Sequence, residues 1–381
     1  MPATEGPMRA CPLCGSERGT VLLDRPDVPV LMNRLYPTRR AARAAPTGQL
    51  RLVACAGCGF TFNSRFDPAL AAYDEHYEND QTNSELFSRY VREMRARLIG
   101  GLGGAQARVL EIGCGQGEFL ETLVIEGAGR IEAVGCDTVW RPRPLPPGLR
   151  IEAAAFDAVS RQGIGAFDLI YARHVIEHVA APVDLLRDMA AMLGPGGRVC
   201  IETPALEWVL ANNQMQDFFY EHCNYFTAES LREACRRAGL EAMRVETVFG
   251  GQYLWAEAIR GGASMQAGPS IPLPTIDADF FRRWQTRLPK GCGSVAIWGA
   301  GAKGVTFATE IDPPAERIAC LIDINPNKQR LYTPRSGHPV VAPAAAQRLE
   351  IDTIVVMNPN YRDEIVSMAE HAGLRARLLS C

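Results

Sequence analysis

The chain has 381 residues, of which 47% are hydrophobic and 22% charged, with a formal net charge of −3. That length predicts two or three domains, and that composition supplies apolar cores. The slight acidity excludes a chain-wide nucleic-acid footprint, and no apolar run approaches the roughly 20 residues of a membrane-spanning helix. The opening MPATEGPMRACPLC lacks a basic-flanked apolar stretch, so no signal peptide is expected and a cytoplasmic location is. There, the twelve cysteines read as thiols or metal ligands rather than a disulfide framework. Residues 1–75 contain CPLCG and CAGCG, two CxxC pairs built from Cys11, Cys14, Cys55 and Cys58. A tight turn lets each pair aim two thiolates at one ion, and two pairs complete a tetrahedron, so a structural zinc is expected here. Residues 76–104 predict a helical connector. From 105 to 262, ARVLEIG, IEAVGCD, FDLIYA and GRVCIET read as strands separated by helix-periodic stretches, which predicts a parallel sheet covered by helices. VETVFG and GQYLWAEAIR are expected to close that sheet. Residues 263–288, rich at first in Gly, Pro and Ser, read as a linker. From 289 to 381 the alternation restarts with SVAIWGAGAKG, IACLIDINP and TIVVMNPN, a second, smaller α/β unit.

The stretch RVLEIGCGQGEFL carries the cofactor signal. Dinucleotide loops space their glycines GxGxxG to admit a pyrophosphate. Here Glu111 precedes Gly113, Gly115 and Gly117 at alternate positions. An acid before the glycines suits a ligand with a cationic amino-acid end and no phosphate, such as S-adenosylmethionine. Gly113 and Gly115 let its methionine portion approach the backbone, and Glu111 meets its ammonium. Asp137, at the next strand end, is placed for the ribose hydroxyls. Asp157, in AAAFDAV, is placed for the adenine amino group. A second loop, GAGAKG at Gly299–Gly304, is a true GxGxxG with Asp323 ending the next strand. Alone it reads as a nicotinamide-dinucleotide site, and an oxidoreductase is the competing class. A zinc-containing nucleic-acid modifier is another. HVIEH also fits the HxxEH of zinc peptidases, but it follows a strand, with no third ligand in evidence.

These motifs resemble the class I methyltransferases, and the whole arrangement resembles the nucleotide-sugar C-methyltransferases. YDEHYENDQTNS, IWGAGAKG, IDINPNKQ, GHPVVAP and VMNPNYRDEI carry the wider likeness. The implied fold is α/β: a class I Rossmann-like sheet flanked by a small N-terminal zinc-binding domain and a C-terminal Rossmann-like domain. The implied activity is C-methylation of a nucleotide-linked, dTDP-type keto-deoxysugar through an enolate, in natural-product or surface-sugar biosynthesis. A different small-molecule acceptor, methylated at C, O or N, is the alternative. Neither a nucleic acid nor a membrane is an expected partner. The resemblance places Arg173 and His174 beside the cofactor, and Asn79, Lys303, Lys328 and Asn358 on the substrate. Lysine occurs only at Lys290, Lys303 and Lys328 in an otherwise Arg-based chain; the last two read either as phosphate contacts or as chance in so small a sample. His222 is expected as the base, oriented by Glu221, with His178, Tyr77 and Tyr220 as further members of the catalytic pocket. The family carries Tyr-Asp-Glu-His after the fifth strand; this chain has FFYEHCNYF, so Phe219 and Tyr220 replace Tyr and Asp.

Overall fold

The computed structural model describes residues 9–74, 76–80, 82–104, 106–160, 163, 165–261, 274–288 and 294–381. The expected linker over 263–273 and Lys290 lie outside the described residues.

A seven-stranded sheet forms the centre. Its order is Leu240–Val248, Tyr253–Arg260, Leu193–Pro204, Phe167–Arg173, Ala107–Ile112, Ile131–Cys136 and Leu149–Glu152. The five strands from Leu193–Pro204 onward run parallel, and the first two join antiparallel. Val109, Leu110, Leu169 and Ile170 are fully buried, as expected of strands covered on both faces. The chain leaves Ala107–Ile112 first toward Ile131–Cys136 and later returns on the other side as Phe167–Arg173. That reversal opens a crevice at the carboxyl ends of the strands, where α/β sheets bind ligands. Glu111 and Arg173 both sit at this edge.

A four-stranded antiparallel sheet consists of Gly19–Pro29, Thr47–Cys55, Thr61–Asn63 and Asn224–Tyr225. Its last strand comes from the chain just beyond Glu221 and His222. Thr61 pairs with Tyr225 and Phe62 with Asn224, so the cysteine-rich segment is stitched to the central unit beside those two residues. The third sheet is wholly parallel, in the order Val340–Val341, Ile318–Ile322, Val295–Trp298, Thr353–Val356 and Arg377–Ser380. It repeats the crevice geometry, with its own reversal at Val295–Trp298.

The connector forms a helix over Glu85–Gly100, with Ser84 capping the Phe87 N–H and Glu85 in its first turn. Phe87, Tyr90, Val91, Met94 and Leu98 form its buried stripe. The segment read as linker contains a helix at its described end, Phe280–Arg287, whose Phe280 and Trp284 are buried. The Trp284 ring meets Phe307 at 5.3 Å, which ties this helix to the third sheet. Among the described residues, no helix is long and apolar enough to cross a membrane.

Candidate active site

The four knuckle cysteines converge. Gly15 and Gly59 follow the two pairs at φ 75° and 77°, and each returns its N–H to the first cysteine carbonyl of its pair at 2.8 Å. Cys11 Sγ lies 3.7 Å from Cys58 Sγ, and Cys14 Sγ 3.4 Å from Cys55 Sγ, with all four sulfurs within 4.8 Å of one another. A tetrahedral zinc with bonds of about 2.3 Å sets its sulfurs about 3.8 Å apart, so the donor set fits that ion. The hydrogen bond from Cys11 holds the Cys58 thiol down at about 5, which favours a thiolate.

The glycine loop fits S-adenosylmethionine in the same sense. Gly113, Gly115 and Gly117 have φ of 70°, 57° and 86°, a region that disfavours side chains. A Cβ on Gly113 would sit 2.4 Å from Val175 Cγ2, whereas at Gly115 it would meet nothing within 4 Å. The backbone is therefore tightly packed at Gly113 and open at Gly115. Glu111 is buried and accepts a hydrogen bond from the Tyr171 hydroxyl at 3.0 Å. Burial pushes its carboxyl up to about 8 despite nearby Arg173. Asp137 accepts the Gly115 N–H on Oδ2 at 2.8 Å and the Val139 N–H on Oδ1 at 2.9 Å, so one carboxylate shapes the loop. Each oxygen keeps a lone pair for a ribose hydroxyl. Asp157 is exposed, in the short helix Phe156–Ser160 beyond the third parallel strand.

Arg173 and His174 end the strand beside this loop. Arg173 pairs with Glu202 at 3.2 Å and lies over the Phe119 ring at 4.3 Å. His174 has φ 53°, unusual for a residue with a Cβ. Its imidazole bridges Glu177, at 3.3 Å, and Glu202, at 2.8 Å. Burial opposes its charge, yet the two carboxylates raise it to about 9. Burial likewise opposes the Glu202 charge, but Arg173 and His174 hold that carboxyl at about 2. The Tyr90 hydroxyl donates to Glu202 at 2.7 Å, which anchors the connector helix to the network.

A cavity of about 310 Å³ lies between the central sheet and the third sheet. Tyr77, Asn79, His174, His178, His222, Lys303, Lys328 and Asn358 all line it, together with Phe219 and the second glycine loop. The structure thus brings together eight of the expected residues from distant parts of the sequence. The His178 and His222 rings meet edge to face at 4.8 Å, and Phe219 packs on His222 at 4.0 Å. Burial and the neighbouring His178 push the His222 pKa well down, leaving a neutral imidazole.

Two catalytic expectations change. Glu221 is not the partner of His222. Its carboxylate accepts the Tyr77 hydroxyl at 2.7 Å and the Met32 N–H at 2.8 Å, while its carbonyl meets His178 Nδ1 at 2.9 Å. A carbonyl only accepts, so Nδ1 of His178 carries a proton. Tyr220 does not line the cavity. Its hydroxyl accepts the Asp67 N–H at 2.8 Å and its ring fills the space above Gly48, a packing role.

The expected phosphate contacts are also already engaged. Lys303 pairs with Asp217 at 2.7 Å across the two units and lies over the Trp208 ring at 4.6 Å. Lys328 is buried, and its ammonium donates to Asn33 Oδ1 at 3.2 Å and to the Ala300 carbonyl at 3.4 Å. Asn358 donates to Gln252 at 2.9 Å. In the second glycine loop Asp323 repeats the device of Asp137, accepting the Ala300 and Asn325 N–H groups at 2.7 and 2.8 Å.

Asn33 and Tyr73 are site residues that sequence reasoning missed. Tyr73 meets His178 Nδ1 at 2.9 Å and the Tyr77 ring at 4.7 Å. Its four-residue spacing from Tyr77 was a usable signal. Asn33, in LMNRLYP, carries none.

Residues 80–245 match a methyltransferase domain family, and residues 284–377 match the C-methyltransferase C-terminal domain family. C-methyltransferase NovU of Streptomyces niveus is 25% identical over 246 residues, covering 58% of this chain and 58% of that protein. A ubiquinone biosynthesis O-methyltransferase of Bordetella avium is 29% identical over 164 residues, covering 38% of this chain and 65% of that protein. The chain spans under two thirds of the length of both relatives. Among solved structures, 1,6-didemethyltoxoflavin-N1-methyltransferase of Burkholderia thailandensis is 22% identical, covers 46% of this chain and 81% of that one, and superposes with a TM-score of 0.36. On the two family matches, the chain carries a class I S-adenosylmethionine-dependent methyltransferase domain followed by a C-methyltransferase C-terminal domain.

Proposed function

We propose that this protein is an S-adenosylmethionine-dependent C-methyltransferase whose substrate is a nucleotide-linked keto-deoxysugar. The observation that carries this reading is the shared cavity, with two imidazoles on the methyltransferase side and a phosphate-type glycine loop on the other. When bound, the cofactor supplies an electrophilic methyl group. Glu111, Gly113, Gly115, Asp137 and Asp157 would hold it, with Arg173 and His174 beside its amino-acid end. The residues of the cavity prepare the carbon that receives the methyl.

A carbon next to a ketone becomes nucleophilic when it loses a proton, and a neutral imidazole at the carbon is suited to take it. His222 is that base in this reading. His178 faces the same space, 4.8 Å from the His222 ring, and stands next in line for the proton. Phe219 and the surrounding aromatic rings exclude water from the resulting enolate. Asn79, Asn358 and the Gly299–Gly304 loop contact the sugar and its nucleotide. Lys303 would reach a diphosphate by exchanging Asp217 for it. The four cysteines would hold zinc in a closed site, where the metal would support folding rather than the reaction. NovU, the C-methyltransferase relative, supports methylation at carbon.

The test is mass spectrometry of the purified protein with S-adenosylmethionine and a 4-keto-6-deoxy nucleotide sugar. A mass gain of one methyl group on the sugar carbon skeleton is expected. Turnover of another small molecule at oxygen or nitrogen, with none of the sugar, would replace this reading.

A further inference from the structure

A chain of hydrogen bonds runs through all three parts of the molecule to the cavity. Lys328, from the third sheet, donates to Asn33 Oδ1 at 3.2 Å. Asn33 Nδ2 donates to the Tyr77 hydroxyl at 3.3 Å, and Tyr77 donates to Glu221 Oε2 at 2.7 Å. The peptide of Glu221 then accepts from His178. Asn33 itself is held by the Glu78 N–H, which donates to its carbonyl at 3.0 Å.

The direction of the links from Asn33 to Tyr77 and from Tyr77 to Glu221 follows from the first. An ammonium has only donors, so the side-chain oxygen of Asn33 must face Lys328 and its NH₂ must face Tyr77. The reversed amide would set NH₂ against ammonium. Tyr77 therefore receives a proton from Asn33, and its own proton goes to the Glu221 carboxylate. Glu221 is fully buried and also accepts the Met32 N–H, so it is built as an acceptor. Burial and Glu221 push the Tyr77 pKa well up, so the phenol stays protonated. What Tyr77 still has for the cavity is its remaining lone pair.

We propose that Lys328 and Asn33 are positioning residues that fix Tyr77 as a hydrogen-bond acceptor, selecting a substrate that presents a hydroxyl or N–H beside the reacting carbon. The substrate part of this inference rests on the reading of the cavity as the methyl-acceptor site; the polarity of the relay does not. Lys328 thereby acts through Asn33 and Tyr77 rather than on phosphate. Its second bond, to the Ala300 carbonyl, fixes the relay to the glycine loop of the third sheet.

The experiment compares Asn33→Asp, Lys328→Met and Tyr77→Phe. Asn33→Asp keeps the size and the partner of Lys328 but removes the donor to Tyr77. With the 4-keto-6-deoxy nucleotide sugar, its kcat is expected to fall about tenfold or more, with the KM for S-adenosylmethionine unchanged, a split that general destabilisation does not produce. A kcat equal to the parent's overturns the positioning role. A double-mutant cycle on melting temperature needs no substrate. Tyr77→Phe should lose at most half as much in the Lys328→Met background as in the parent, although Lys328 and Tyr77 share no hydrogen bond. Strict additivity overturns the relay. Parent protein that leaves the sugar unmethylated removes the acceptor reading, while the cycle still decides the relay.

Discussion

Single residues decide the chemistry, and two titrating groups make it testable. Glu111 is raised to about 8 by burial, so near neutral pH the ligand-free protein holds a proton there. A ligand with an ammonium beside that carboxyl favours the ionised form and displaces the proton. Calorimetry of S-adenosylmethionine binding at pH 7, in buffers of different ionisation enthalpy, should therefore register proton release. Glu111→Gln should abolish the release and weaken binding. His174 is raised to about 9 in the fold, above the ordinary 6.5. Its contribution to stability is complete below pH 6.5 and disappears as pH rises through about 9. The melting temperature should fall between pH 6.5 and 9, and less steeply in His174→Asn, since Asn tolerates the left-handed backbone. An equal slope in both proteins would contradict the ion pairing described. The sequence exposed Glu111, because an acid two residues before a glycine is a local pattern. It did not expose what Glu221 holds, because Met32 and Tyr77 reach it only through tertiary folding.

At the scale of elements, the strands were legible and the edges were not. ARVLEIG and FDLIYA keep unbroken apolar centres, Val109–Leu110 and Leu169–Ile170, because helices cover both faces. The unforeseen strands LRIE and RLLS lie at sheet edges and are only partly buried, with Arg in both and Glu in the first hiding their period. Asn224–Tyr225 was also missed, since two residues have no period; its pairing depends on Phe62. The knuckles were legible because each CxxC turn is set by its own glycine. They support a definite expectation: purified protein should contain one zinc per chain. Stripping it with a chelator should lower the melting temperature by at least several degrees, about 2–4 °C per kcal/mol for a mid-sized domain. Chelation should also loosen the strand pairing beside Glu221, read as faster amide exchange at Asn224 and Tyr225. A chelated protein with unchanged melting would remove the structural role.

For the molecule as a whole, the cavity is the product of packing two α/β units face to face, and no local pattern announces it. The sequence did place His178, His222 and Tyr77 in one pocket, through resemblance. It could not show that Lys303 meets Asp217, or that Lys328 turns inward to Asn33, because lysine at a glycine loop reads equally as a phosphate ligand. The second loop was ambiguous for a physical reason as well. Asp323 and Asp137 accept two backbone N–H groups in the same way, so the local geometry is common to two sheets assigned different ligands.

Removal of a proton from carbon in the cavity can be measured without methyl transfer. The protein is incubated in heavy water with S-adenosylhomocysteine and a 4-keto-6-deoxy nucleotide sugar, and deuterium at the carbon next to the ketone is followed by NMR. Exchange well above the protein-free rate is expected, lost in His222→Ala at unchanged binding of S-adenosylhomocysteine. Exchange that persists undiminished in His222→Ala, or none in the parent while the sugar binds, would contradict it.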